Sequence, residues 1–532
     1  MSEKVITMDK QQKKSKIRFF LKIFYVLVAF LLLAFAMLLR YASNWTLEEF
    51  GEIPFSQVVF HLMVPLEGTN SDVIEGFIKG ALEYILPIFI AAVIIYIVLL
   101  YVKRYSEFKF NMKIRNKSFD ISYTDNIICR IIRKDILVIS LIIFCFNANY
   151  CIRALGIDEY ISDISKSTKL YENEYVDALE VSIIAPEKKK NLIYIFLESM
   201  ENSYADECFG GAMDSSLIPN LTRLALKNEN FTSTSFVNGA NVTANTGWTI
   251  AGMVAQTAGV PLTIPIGSNS FEEYSIFLGG ATSIGEILER DGYNQMLMFG
   301  SDAKFAGRDK YFTQHGNYRI WDRFSALEEG KMKSGEEVWW GFEDGKLFEW
   351  SKEKILELAE KDEPFNFTIL TADTHAPDGL VIDTESHAFE YPFDIQYENV
   401  IYNSDINVYN FIRWIQEQDF YEDTVIILSG DHLSMSTTTD TMIKSDYDRK
   451  TYFTIINSDT IRANKEESRE FTTLDIFPTT LAAMGYTIEG DRLGLGTNLY
   501  SERRTLIEAY GLEYLDDEIS KYSKYYNDNI LK

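Results

Sequence analysis

The sequence predicts an α/β protein in which N-terminal transmembrane helices precede a large domain with a mostly parallel sheet covered by helices on both faces. Three observations support this fold class. Two long apolar runs lie near the N-terminus, and farther on short apolar runs alternate with helix-like stretches. The two parts also differ in charge, because residues 1–153 carry 19 basic and 13 acidic groups while residues 154–532 carry 32 and 64.

The overall composition excludes several classes of protein. Hydrophobic residues make up 47% of the 532 residues, which is too many for a disordered chain. The formal net charge of −26 argues against a nucleic-acid partner, since a phosphate backbone requires a basic surface. The four cysteines are too few and too dispersed for a disulfide framework.

Three apolar segments predict a membrane anchor over residues 1–153. Residues 19–39 and 82–102 each approach the roughly 20 apolar residues that a bilayer core requires. Residues 135–153 turn polar after Phe146, so they fit either a third span or a buried helix of a soluble domain, and we expect the span. The anchor therefore contains three helices.

The basic residues predict the orientation of these spans. Residues 1–22 carry seven basic groups and the loop 103–134 carries nine, whereas the loop 41–81 carries only Lys79. Basic loops stay in the cytoplasm. Three spans starting inside would leave the acidic domain, residues 191–532, outside the cell membrane, joined to the anchor by a polar connector at residues 154–190.

Five apolar runs in the acidic domain have the length of buried strands. They are residues 191–197, 293–299, 366–371, 424–428 and 451–456. Candidate helices between and after them cover residues 217–227, 246–257, 282–290, 346–361, 397–417 and 473–484. In a parallel sheet of this kind, ligands bind beyond the carboxyl ends of the strands.

Carboxylates and imidazoles follow three of these runs. Glu198 follows the first, Asp373 and His375 follow the third, and Asp431-His432 follows the fourth. Each alone could be a helix cap or a turn, but three together at one sheet edge indicate a functional site. Glu198, Asp431 and His432 form an oxygen and nitrogen donor set suited to Mn²⁺, Mg²⁺ or Zn²⁺.

The segment Ala244 to Met253 resembles a turn that enters a helix and contains two candidate hydroxyl nucleophiles, Thr246 and Thr249. A helix N-terminus favours a phosphate, because backbone N–H groups and the positive end of the dipole lie there. Metal coordination could activate such a hydroxyl. Either threonine could also serve only as a helix cap.

Five motifs together resemble the phosphoglycerol transferases, including the lipoteichoic acid synthases, within the alkaline phosphatase and sulfatase superfamily. They are residues 191–204, 246–262, 371–379, 426–435 and 472–497. The resemblance implies a bacterial enzyme in the cell membrane with an extracytoplasmic catalytic domain. It implies transfer of glycerophosphate from phosphatidylglycerol, through a covalent threonine, to an envelope glycan or a lipoteichoic acid-type polymer.

The resemblance also implies roles for individual residues. Glu198, Thr246, Asp431 and His432 would hold one divalent ion, with Mn²⁺ expected, and Thr246 would be the nucleophile. His375 would contact the phosphate or protonate the leaving group, and Arg308 and Trp248 would bind substrate. The segment Phe299-Gly300-Ser301 lacks the histidine that lipoteichoic acid synthases carry before this arginine, so the glycerol pocket is expected to differ.

Three alternatives remain to be compared with this interpretation. A sulfatase activity is excluded by sequence, since Thr246-Gly247-Trp248-Thr249-Ile250 stands where formylglycine formation requires a Cys/Ser-x-Pro-x-Arg motif. A phosphoethanolamine transferase of the same superfamily is the enzymatic alternative. A catalytically inactive envelope sensor is the non-enzymatic alternative, although none of the expected site residues is missing.

Overall fold

The computed structural model describes residues 2–51, 53–63, 71–105, 107–114, 117–263, 276–382 and 389–532. It contains two compact units. The first comprises Met1–Glu48 and Ser71–Asp158, and the second comprises Glu49–Asn70 and Glu159–Lys532. The structure therefore groups residues 159–190, predicted as a connector, with the acidic domain.

The first unit is built from long helices. Its three longest are Ser2–Phe50, Ser71–Tyr105 and Ile127–Ala154, and an antiparallel hairpin of Glu107–Ile114 and Lys117–Thr124 joins the last two. Two segments, Lys16–Phe50 and Val73–Tyr105, are long and apolar enough to cross a membrane. These helices indicate a membrane protein, as the sequence predicts.

The helix predicted as a third span is present but differs from the other two. It covers Ile127–Ala154, kinks at Asp135, where φ is −112° and ψ is 20°, and ends beside Arg153. It is not among the described helices that are apolar enough to count as candidate spans. Three spans, and an outer location of the acidic domain, therefore stay predictions.

A seven-stranded sheet forms the centre of the second unit. The strands in chain order are β1 (Asn191–Leu197), β2 (Gly239–Ala240), β3 (Asn294–Phe299), β4 (Arg319–Trp321), β5 (Phe365–Leu370), β6 (Thr424–Gly430) and β7 (Thr451–Ile456). Their spatial order is β2-β7-β6-β1-β5-β3-β4. The five strands from β6 to β4 are parallel, while β7 pairs antiparallel with both β6 and β2.

Alternating side chains of β1 enter two separate hydrophobic cores. Leu192, Tyr194 and Phe196 belong to one core, and Ile193 and Ile195 belong to the other. Both faces of the sheet are thus buried, which explains why the strands read as continuous apolar runs. The predicted fold class is confirmed.

Helices cover each face of this sheet. Those packed in the first core include Thr249–Ala258, Ile284–Arg290 and Ile476–Ala483. Those in the second include Pro219–Lys227, Asp344–Ala359 and Gln396–Gln416. The other α-helices among the described residues of this unit are Phe55–Met63, Leu170–Glu174, Arg308–Gln314, Arg323–Glu328, Thr437–Met442, Leu506–Tyr510 and Leu512–Ser520, with Ile157–Ile164 crossing the boundary between the units. Tyr526–Ile530 forms a π-helix.

The helix Phe55–Met63 was not predicted, and it packs into the second unit although it lies between the two candidate spans in sequence. Phe60 is buried in the first core, with its ring centroid 5.4 Å from that of Trp248. Gln57 donates a hydrogen bond to the sulfur of Met435 at 3.4 Å. This helix is therefore part of the same compact unit as the acidic domain.

Labelling of Cys208 tests the predicted topology. Cys208 is exposed in the second unit, whereas the other three cysteines lie in the first. In a chain carrying Cys129→Ser, Cys145→Ser and Cys151→Ser, a membrane-impermeant maleimide applied to intact cells should label Cys208. Addition of Cys208→Ser should abolish the signal, and labelling seen only after permeabilisation would place the domain inside.

Candidate active site

Three ionisable side chains meet at the carboxyl ends of β1 and β6. Glu198 follows β1, while Asp431 and His432 follow β6, and all three are buried. One ligand atom from each lies within 4.8 Å of the other two. The Nε2 atom of His432 is 3.3 Å from Oε1 of Glu198 and 3.4 Å from Oδ2 of Asp431. The structure thus brings together three of the four predicted metal ligands.

Hydrogen bonds orient this donor set toward a common point. Nδ1 of His432 lies 2.8 Å from the carbonyl oxygen of Leu433, which can only accept, so Nδ1 carries a hydrogen and Nε2 is the nitrogen that can bind a cation once its own proton is displaced. Oδ1 of Asp431 accepts the backbone N–H groups of Ser199 and His432 at 2.9 and 2.8 Å. Oδ2 of Asp431 is buried and accepts no hydrogen bond among the described residues, although Nε2 of His432 lies 3.4 Å away. A buried carboxylate oxygen without a donor fits a cation ligand.

The pKa values of the three groups reflect mutual charge compensation. Burial would raise the pKa of Glu198, but the positive charges and hydrogen bonds around it, above all those of His432, lower it to about 2. Burial and the charge of Glu198 raise the pKa of Asp431. Burial would lower the pKa of His432, but Asp431 and Glu198 raise it to about 10. Without a metal, the proton of His432 supplies balancing positive charge, and a divalent cation would displace that proton.

The two candidate threonines occupy different places. Thr249 is the first residue of the helix Thr249–Ala258, and its hydroxyl oxygen lies 3.4 Å from both Oε2 of Glu198 and Nε2 of His432. The hydroxyl of Thr246 instead accepts the backbone N–H of Thr243 at 3.0 Å and donates to its carbonyl at 2.8 Å. The prediction that Thr246 joins the cluster therefore disagrees with the geometry, because Thr246 closes a local turn.

A close contact between helix and loop sets the position of Thr249. Buried Gln256 on the same helix donates to the carbonyl oxygens of Gly430 and Asp431 at 2.9 and 3.3 Å, and its own oxygen accepts from Tyr194 at 2.8 Å. A Cβ atom at Gly252 would stand only 2.1 Å from the carbonyl oxygen of Asp431. Glycine is thus required at position 252 for the helix to approach the loop that carries Asp431 and His432.

Arg308 is buried beside the cluster with its guanidinium held on one side. Its Nη2 donates to the Ser301 hydroxyl at 2.9 Å and to the Asp302 carbonyl at 2.8 Å, and the group lies 4.5 Å from the ring centroid of Phe299. Burial lowers the pKa of Arg308 to about 10, so the side chain is charged at neutral pH. None of the hydrogen bonds among described residues uses Nη1, which leaves a donor for an anionic ligand.

A pocket connects several of the predicted site residues. Glu198, Thr249, Arg308 and His375 all line it, together with seven further residues that include Phe305 and Trp340. Nδ1 of His375 donates to the carbonyl of Ala376 at 2.8 Å, which leaves Nε2 as the nitrogen available to a substrate. One carboxylate of the cluster, a hydroxyl, a guanidinium and an imidazole thus share one cavity, an arrangement suited to phosphoryl transfer.

Trp248 does not line this pocket. Its side chain is buried in the first hydrophobic core, although its backbone forms the N-cap of the helix that begins at Thr249. Trp248 therefore shapes the site through packing, and the prediction that it contacts substrate receives no support from its position.

His61 is a neighbour of the site that the sequence did not indicate. It lies on the helix Phe55–Met63, with its ring centroid 6.1 Å from that of the pocket residue Phe305 in a stacked arrangement. Burial and the charge of His375 lower the pKa of His61 to about 4, so it is neutral at physiological pH. No motif marks this histidine, because its neighbours are more than 200 positions away in sequence.

The comparisons with known proteins agree with this geometry. A profile of the sulfatase family matches residues 190–486, which is more than half of the chain and includes every residue of the cluster. The chain belongs to the sulfatase family. The predicted membership in this superfamily is confirmed.

Curated relatives of this sulfatase-family protein are named phosphoglycerol transferase I. The protein from Escherichia coli O127:H6 is 32% identical over 333 residues, and that from Shigella flexneri is 33% identical over the same length. Each alignment covers 60% of this chain and 40% of the relative, so the chain matches about two fifths of the length of these proteins. The predicted resemblance to phosphoglycerol transferases is confirmed.

A solved structure shares the fold across both units. Lipooligosaccharide phosphoethanolamine transferase A from Neisseria meningitidis, an integral membrane protein, superimposes with a TM-score of 0.51 at 13% identity. The match covers 87% of this chain and 86% of that chain. At this identity the likeness concerns the fold alone.

The Mn²⁺ affinity of the purified protein tests whether Glu198, Asp431 and His432 form a metal site. Asp431→Asn keeps the size of the side chain but removes a charge, so we expect the affinity for Mn²⁺ to fall by at least about 100-fold. Isothermal titration of the purified chain measures this. The matched control is Asp459→Asn, whose side chain is 84% exposed, and it should bind like the unaltered protein.

The same titration has a defined pH dependence. The pKa of His432 is raised to about 10, so this residue holds a proton that a metal must displace, and the raised pKa of Asp431 acts in the same direction. Affinity should therefore rise with pH between about pH 6 and about pH 8. Equal binding by the Asp431→Asn and Asp459→Asn proteins would contradict the assignment.

Proposed function

We propose that this protein is a membrane-anchored, metal-dependent phosphoglycerol transferase that uses phosphatidylglycerol as donor. The observation that carries the proposal is the position of the Thr249 hydroxyl, 3.4 Å from Glu198 and His432 at the start of a helix and in one pocket with Arg308 and His375. The similarity to proteins named phosphoglycerol transferase I supports glycerophosphate as the transferred group. The acceptor is an envelope glycan or a glycerophosphate polymer on the outer side of a bacterial cell membrane.

The first step is attack by Thr249 on the donor phosphodiester. The Thr249 hydroxyl loses its proton to solvent as its oxygen forms a bond to phosphorus, the bond from phosphorus to the diacylglycerol oxygen breaks, and diacylglycerol leaves with a proton from His375. Glycerophosphate is then esterified to Thr249. In the second step an acceptor hydroxyl loses its proton to His375 and attacks phosphorus, the bond from phosphorus to the Thr249 oxygen breaks, and Thr249 regains a proton from solvent.

Other residues stabilise charge on the phosphoryl group. Arg308 offers Nη1 to a phosphoryl oxygen, and the first backbone N–H groups of the helix Thr249–Ala258 lack intrahelical partners. Glu198, Asp431 and His432 would hold one divalent ion, with Mn²⁺ expected and Mg²⁺ or Zn²⁺ possible from the same donor set. Such an ion would lower the pKa of the Thr249 hydroxyl and neutralise phosphate charge.

Substitution of the two threonines separates the candidate nucleophiles. Thr249→Ala should reduce diacylglycerol release by at least about 10³-fold, since the attacking oxygen is lost. Thr246→Ala should retain most activity and lose about 1–2 kcal/mol of stability with its buried hydrogen bonds. Turnover assays and thermal unfolding measure the two effects. A folded but inactive Thr246→Ala protein beside an active Thr249→Ala protein would restore Thr246 as the nucleophile.

The identity of the donor tests the proposed function itself. The full chain in detergent micelles with Mn²⁺ is given labelled phosphatidylglycerol or phosphatidylethanolamine, and diacylglycerol is followed. We expect release from phosphatidylglycerol and little from phosphatidylethanolamine. The reverse preference would indicate a phosphoethanolamine transferase, and inactivity on both lipids with metal bound would favour an envelope sensor.

A further inference from the structure

A second pocket lies in the same compact unit and shares no lining residue with the catalytic pocket. It has a volume of about 220 Å³, many times the ~15 Å³ that one ordered water needs. Its wall combines residues from the helix Phe55–Met63, the turn before Thr249 and the C-terminal segment 520–527. We infer that this pocket binds a neutral sugar unit of the acceptor glycan, an inference that rests on the proposed function.

The lining is dominated by aromatic rings and uncharged polar groups. Four tyrosines contribute, Tyr160, Tyr171, Tyr522 and Tyr526, and two asparagines, Asn245 and Asn527. A tyrosine side chain offers both an apolar ring face and a polar hydroxyl, and the asparagine amides donate and accept hydrogen bonds. A pyranose ring has matching chemistry, with apolar C–H faces and a rim of hydroxyl groups.

Tyr171 is a tyrosine of the pocket wall that is 2% exposed as a residue. None of the hydrogen bonds between described residues involves its hydroxyl. Buried tyrosine hydroxyls normally find a partner. A ligand hydroxyl would supply it, whereas an acyl chain of the donor lipid would leave it unpaired.

Charge argues against an anionic occupant. Lys521 is the one charged residue among the described residues that line the pocket. Its ammonium group is already paired with Asp517 and Glu518, each at 2.6 Å. No free positive charge is left to hold a phosphate, so a neutral glycan fits this site better than a glycerophosphate polymer.

The pocket is close enough to Thr249 to serve as an acceptor site. Asn245 lines it and precedes Thr249 by four residues, a separation of at most about 14 Å even for extended chain. Asn245 has a positive φ of 60°, and its amide donates to Thr263 at 3.1 Å, which fixes the turn between the two sites. A glycan bound here by one sugar could present a neighbouring unit to Thr249.

The test separates donor cleavage from acceptor transfer. The full chain with Mn²⁺ and phosphatidylglycerol is given neutral tetrasaccharides of glucose, galactose or N-acetylglucosamine, and glycerophosphate-bearing products are measured by mass spectrometry. Tyr171→Phe and Tyr522→Ala should each raise the KM for the best oligosaccharide by about tenfold or more. Diacylglycerol release without acceptor should be unchanged. The control Tyr514→Phe, a 48% exposed tyrosine outside the pocket, should behave like the unaltered protein.

Other outcomes overturn the inference in distinct ways. If diacylglycerol is released but no neutral oligosaccharide is modified, or if the variants keep the original KM, the pocket is not the acceptor site while the proposed function stands. Cross-linking of a photoreactive acyl chain to the Tyr171 region would assign the pocket to the donor lipid. If no diacylglycerol is released, the proposed function fails, and saturation-transfer NMR with the same sugars decides whether the pocket binds them.

Discussion

Burial of two carboxylates beside one histidine is the constraint on which the rest of this site depends. Glu198, Asp431 and His432 are buried, and Oδ2 of Asp431 has no donor among the described residues. Such charges cannot persist in a protein interior without compensation by protons or a cation. The parallel sheet supplies the means of assembling them, because neighbouring strands β1 and β6 end at the same edge.

The position of the helix Thr249–Ala258 brings a hydroxyl group next to this charged cluster. The hydrogen bonds of Gln256 and the small size of Gly252 bring the helix against the loop that follows β6. The helix then presents a hydroxyl to the cluster and its N-terminus to the pocket. One packing contact therefore sets the positions of both the proposed nucleophile and the proposed phosphate-binding surface.

The sequence predicted the buried centre of the fold well and its edges poorly. Strands β1 and β7 were predicted at their observed bounds, because strands buried on both faces are continuous apolar runs. The edge strands β2 and β4 have only two and three residues, which is too short for a recognisable run. The helix Phe55–Met63 was missed because its position depends on contacts with residues far along the chain.

Residues of the candidate site that are marked by their side-chain chemistry could be predicted from the sequence. The choice between two residues of the same type depends on backbone geometry and could not be predicted. The clustering of Glu198, Asp431 and His432 was predicted from their strand-end positions, and their role as metal ligands stays a prediction. The choice between Thr246 and Thr249 required the start of the helix, and sequence patterns locate helix ends only to within a few residues. Two threonines three positions apart fall inside that margin, and only the structure shows that Thr246 is used by the turn at Thr243.

The most direct measurement of the central claim is the location of the covalent intermediate. The protein is incubated with phosphatidylglycerol and Mn²⁺ without acceptor, quenched in acid, digested and mapped by tandem mass spectrometry. The account predicts a glycerophosphate adduct on Thr249, absent from the Asp431→Asn protein. An adduct on Thr246, or diacylglycerol release with no adduct on any residue, would contradict it.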